Sequence, residues 1–115
     1  MRTVKPEEIQ RGDLIMVRWF DASEMRAKLN QHENPEVAVW EWGIFLGVRG
    51  IKQKHLLLGK EHVEGWNEWG AARIPISLID RILLLTPRAY QRVFPSVILK
   101  KIKIRRSRHR VKAKI

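Results

Sequence analysis

The chain contains no cysteine. That absence removes disulfides, thiol nucleophiles and thiolate metal sites together, and with them any zinc ribbon. No apolar run reaches the ~18 residues of a membrane-spanning helix. The opening residues, MRTVKPEEIQRGD, lack the apolar stretch of a signal peptide, so a cytoplasmic location is expected. Histidine is sparse and scattered: His32, His55, His62 and His109 make neither an H-x₃-H nor an HExxH spacing. His55 and His62 can approach across a turn, but two imidazoles fall short of a closed zinc shell. Glu61, Glu64 and Glu68 crowd one segment, where carboxylates are ordinarily solvated. No Walker loop, GxGxxG or nucleophile–His–acid pattern occurs. A non-catalytic protein without metal or cofactor is expected.

Acidic residues are missing from one region altogether. From Arg88 to Ile115 there is no Asp or Glu, against Arg88, Arg92, Lys100, Lys101, Lys103, Arg105, Arg106, Arg108, Arg110, Lys112 and Lys114. The whole chain holds 23 basic and 12 acidic side chains, so residues 1–87 carry 12 of each and the net charge of +11 resides entirely in residues 88–115. A block of like charge repels itself in water and commonly serves as an interaction arm. It becomes favourable along a polyanion, where each neutralised phosphate releases condensed counterions. The RRSRHR run suits phosphate further, because the planar guanidinium makes paired hydrogen bonds. These eleven cations, with His109, are the candidate nucleic-acid contacts. A solvated arm that merely keeps the body soluble is the plain alternative. It has no use for Ile102, Ile104, Val111 and Ile115 interleaved among the charges.

What remains is enough for one small core: 115 residues, 44% apolar, with five tryptophans. Pro6 suits the first position of a helical turn, with Glu7 and Glu8 behind it. Gly12–Asp13 is turn punctuation before LIMVRWF, Leu14–Phe20, a strand of β-formers. Residues 21–38 are a polar interruption, a long loop or a short helical turn capped by Asp21 or Ser23. Residues 39–50 form a second strand, in which Gly43 and Gly47 predict a bulge or sharp bend. A third strand is expected over 54–59, a fourth over 66–74, then a tight turn over 76–80 and a fifth strand over 81–86. In PRAYQRVF, Thr86 and Pro87 fit the cap and first position of a short helix. Its Ala89, Tyr90 and Val93 can fold back on the body. The alternation after Ser96 favours an extended arm with one cationic and one apolar edge, and a helix is the alternative.

The order GDLIMVRWF, polar loop, WGIFLGVRG, KHLLLG, IPISLIDRILLL resembles an SH3-like small β-barrel, in which an apolar-Pro segment enters a 3₁₀ turn before the last strand. The likeness covers residues 9–86, and WFDAS, WGIFLGVRG and IPISLIDRI are similar to small archaeal proteins. The resemblance implies a mainly β, five-stranded barrel over 1–87 with a basic C-terminal arm over 88–115. A neutral barrel with a basic arm also resembles archaeal ribosomal proteins. That likeness implies RNA as partner, rRNA foremost, with neighbouring ribosomal proteins possible. An archaeal chromatin-type DNA binder and a barrel adaptor for a protein partner are the alternatives, because fold alone does not assign function.

The tryptophans divide between two uses. Trp19, Trp40, Trp42, Trp66 and Trp69 fall in or beside expected strands, where buried aromatics dominate small cores. The other use is a stacking platform for a base, at Trp66 and Trp69 near a turn or at Trp40 and Trp42. The latter pair, at i and i+2, share one face of a regular strand.

Overall fold

In the computed structural model, which describes residues 1–21, 37–63, 65–94 and 102–105, period-two burial builds a mainly β chain. Seven strands are present among the described residues: β1 (Arg2–Val4), β2 (Leu14–Phe20), β3 (Ala38–Arg49), β4 (His55–Val63), β5 (Glu68–Pro75), β6 (Ile79–Thr86) and β7 (Lys103–Ile104). Single 3₁₀ turns occupy Pro6–Glu8 and Ile76–Leu78, and one short helix, α1, spans Ala89–Val93. In the first turn Pro6 sits at the start and the Lys5 N–H donates to Glu8 Oε1 at 2.7 Å.

The strands form one sheet in the order β1-β6-β2-β3-β4-β5-β7. All pairs are antiparallel except β5 with β7. A closed five-stranded barrel is therefore not what forms. The edges of the five central strands are satisfied by added strands, β1 on β6 and β7 on β5, and not by pairing with each other. A covered edge no longer offers unpaired N–H and C=O groups.

Bulges bend this sheet. Register shifts fall between Phe45 and Gly47 in β3 and between Gly59 and Glu61 in β4. Gly47 has φ +129°, the conformation a glycine-marked bulge requires. The bent sheet wraps one core of Val4, Ile9, Ile15, Val17, Phe45, Leu56, Leu58, Ile74, Ile82 and Leu84. Burying each such side chain stabilises the fold by about 1.5–3 kcal/mol before entropy is charged against it. The alternate positions of β3, β4 and β5 carry a second, smaller core on the opposite face: Leu46, Leu57 and Trp69, joined by Tyr90 from α1.

Candidate nucleic-acid interface

The basic arm begins by docking on the turn that precedes β2. Asp13 is 3% exposed. Its Oδ2 accepts from the Gln10 N–H and its Oδ1 from the Arg88 N–H, both at 2.8 Å, while its own carbonyl accepts from the Phe45 N–H at 2.8 Å. One residue thus ties together the lead-in turn, β3 and the start of the arm. Gly12 completes the seat. Its carbonyl accepts from the Tyr90 N–H at 3.0 Å, its φ is +97°, and a Cβ there would collide with the Gln91 side chain. Arg88 is itself left-handed, with φ 51°, and precedes the helix without a side-chain cap. The expected start at Thr86 and Pro87 is therefore displaced. Thr86 remains in β6, and the backbone turns two residues later where Asp13 holds Arg88.

From that seat α1 presents Tyr90 and Phe94, four residues apart, to the second core, while Val93 is left 68% exposed. The Tyr90 ring lies 4.9 Å from Trp69 and 5.0 Å from Phe94 between centroids. Its hydroxyl hydrogen-bonds His62 Nδ1 at 2.9 Å. Trp69 fits because Gly59 opposes it: a Cβ on Gly59 would stand 2.6 Å from the indole ring.

The arm returns to the same core as β7. The Lys103 N–H donates to the Asn67 carbonyl at 3.0 Å and the Arg105 N–H to the Trp69 carbonyl at 2.8 Å. Ile102 and Ile104 pack on the second core, and Lys103 between them is exposed. The two edges of the arm are thus separated at 102–105, apolar inward and charged outward. Arg105 is a partial exception, since its guanidinium pairs with the Glu61 carboxylate. Gly70 leaves room for this pair, as a Cβ there would meet Arg105 and stand 2.9 Å from Glu61.

The candidate contacts sort accordingly. Arg88, Arg92 and Lys103 are exposed, and Arg92 Nε also donates to the Pro87 carbonyl at 3.2 Å. Arg105 is engaged by Glu61. Lys100, Lys101, Arg106, Arg108, His109, Arg110, Lys112 and Lys114 lie outside the described residues, as does the polar interruption over 22–36. Of the two tryptophans expected near a turn, Trp66 is 67% exposed and Trp69 only 2%. Trp69 points into the second core beneath Tyr90 and has no face to offer a base. Trp66 stands in a tight turn with Gly65 at φ +89° and Asn67 at φ 51°. With Gly65, Glu68 and Lys103 it lines an open pocket of about 380 Å³. Trp19 is partly buried against the first core, whereas Trp40 and Trp42 are 38% and 58% exposed. The i, i+2 spacing was the available signal for that pair. Sequence reading passed over Asp13 and Gly12 as a site, because nothing local shows that residues 75–80 positions further on will need a buried acceptor there.

Among the described residues no helix is long and apolar enough to cross a membrane. Compared with family models, curated proteins and solved structures, the chain matches none of them.

Proposed function

We propose that the protein is a non-catalytic RNA-binding component of a ribonucleoprotein, anchored through its basic C-terminal arm, with ribosomal RNA the foremost partner. The order β6-β2-β3-β4-β5 of the central strands, with a 3₁₀ turn before β6, supports the resemblance to SH3-like domains. The observation that carries the functional reading is the way the arm is rooted. Ile102 and Ile104 pack against the second core, so the arm is fixed as far as Arg105 at a defined place, the edge of β5, beside exposed Trp66 and Lys103. Residues 106–115 then follow with Arg106, Arg108, Arg110, Lys112 and Lys114 and no acid. A solubility tag needs charge but no anchored origin.

Truncation after Arg105 tests this. It removes those five cations while keeping β7 on β5, which a cut at residue 95 would strip away. Affinity for RNA should fall, and the slope of log affinity against log salt should become shallower by about 3.5 to 4.5, at roughly 0.7–0.9 for each phosphate no longer neutralised. Unfolding should be unchanged. Equal RNA affinity and an equal salt slope before and after truncation would defeat the proposal.

A further inference from the structure

Among the described residues, the outward face of the sheet is covered at one end and open at the other. Along β3 the outward positions run Ile44, Trp42, Trp40. Ile44 is partly buried against the second core, of which Tyr90 of α1 is a member. Trp42 and Trp40 are not part of that cluster and stand 58% and 38% exposed. Across from them on β2 stand Met16 and Arg18, paired in register with Trp42 and Trp40, and Phe20 closes the row. β6 continues the face with Leu83 opposite Met16 and Arg81 opposite Arg18.

The chemistry of this open half is aromatic and cationic together. The Arg18 guanidinium lies 5.4 Å from the Phe20 ring centroid and Lys60 Nζ 5.6 Å from that of Trp42. Lys60 is held there by its bond to the Trp42 carbonyl at 2.5 Å and by Glu41 at 3.7 Å. Glu41 itself reaches to the other side of the sheet, where it accepts from Trp19 Nε1 at 3.0 Å. Arg18 and Arg81 are directly opposed across two strands, an arrangement that repels. Asp80, which bonds Arg18 at 2.5 Å, is the acid that offsets it. A phosphate would offset the remainder.

We infer that the Trp40–Trp42 face is a stacking surface for unpaired bases, with Arg18, Lys60 and Arg81 placed for the phosphates between them. Flat rings flanked by cations are the arrangement by which proteins hold single-stranded nucleic acid regardless of sequence, since every base has a π-face. A duplex cannot use such a face, because its bases are already stacked. The inference rests on the RNA-binding reading above and makes it specific: the arm supplies charge, and this face selects single-stranded segments.

The test uses the full chain, a single-stranded oligoadenylate and an RNA duplex of matched length, followed by binding titration and tryptophan fluorescence. The double variant Trp40→Ala, Trp42→Ala should bind the single strand about 5- to 100-fold more weakly. Its duplex affinity should change less than about twofold, its salt slope should hold, and most of the quenching on single-strand binding should disappear. Trp40→Phe, Trp42→Phe keeps two stacking rings and should recover most of the affinity, which separates stacking from a folding defect. Equal loss for single strand and duplex, or no loss for either, overturns the inference while the arm reading stands. Wild-type self-association that the alanine variant abolishes, with single-strand affinity untouched, also overturns it in favour of a second copy on this face. If the wild-type chain binds neither RNA, both readings fall.

Discussion

Replacing Asp13 by asparagine changes one acceptor into a donor at a residue that is 3% exposed. The carboxylate now receives two backbone N–H groups, from Gln10 and Arg88, one on each oxygen at 2.8 Å. Asparagine can satisfy one of them with its carbonyl and must turn its own NH₂ toward the other. The substitution therefore loses one charge-assisted bond, worth about 1.5–3 kcal/mol, and leaves a donor without an acceptor, for about 1–3 kcal/mol more at a fully buried site. Some of this is recovered by water at the Arg88 side, which is exposed, so about 2–4 kcal/mol is expected. Against a total stability of about 5–15 kcal/mol that is a large fraction. The corresponding fall in midpoint is on the order of 10–25 °C for a domain of this size. Urea and thermal unfolding followed by circular dichroism give the number, and Asp13→Ala, which loses both acceptors, should be the worse variant. Hydrogen exchange at the Gln10 and Arg88 amides then shows which bond was given up. An Asp13→Asn chain within about 0.5 kcal/mol of wild type would refute the claim that this carboxylate ties the arm to the first turn.

Two further outcomes follow from the second core and the root of the arm. Gly59→Ala should destabilise by about 1–3 kcal/mol in equilibrium unfolding, because its Cβ must displace the Trp69 ring, 2.6 Å away, and with it the stack under Tyr90. Glu61→Gln should destabilise by about 1–2 kcal/mol, since the carboxylate is 63% exposed but the Arg105 side chain it pairs with is only 15% exposed. It should also release Arg105 toward phosphate and steepen the RNA salt slope by roughly 0.7–0.9.

Much of the strand pattern was visible in the chain. Leu14–Phe20 is a strand with those bounds, β3 covers residues 38–49 where 39–50 were expected, and the Ile76–Leu78 turn falls inside the expected 76–80. These elements are local events: β-branched runs, glycine at a bulge, proline at the end of a ladder. The pieces that escaped are the short edge strands. Arg2–Val4 carries no strand signal of its own, and the alternation through Lys103–Ile104 favoured an extended arm without indicating which edge it would join. They are extended because β6 and β5 have open edges at the right height, and that is a property of the assembled sheet. The same holds for the tryptophans. Five look alike in sequence, yet Trp69 enters a core and Trp66, Trp40 and Trp42 do not. The difference is where the fold puts each ring: Trp69 is packed in the second core with Tyr90, Trp66 stands in a turn, and Trp40 and Trp42 lie on the sheet face outside that core.

By itself the order of residues determined the charge map and the alternation. Neutral body, acid-free arm and interleaved isoleucines are additive properties of the chain, legible without any contact. Tertiary structure decided which of those charges remain free and which aromatic faces remain open. Both depend on partners far away in sequence, Glu61 for Arg105 and Tyr90 for Trp69. A cation's availability is set by what stands within a few ångströms of it, and only the fold brings those groups together.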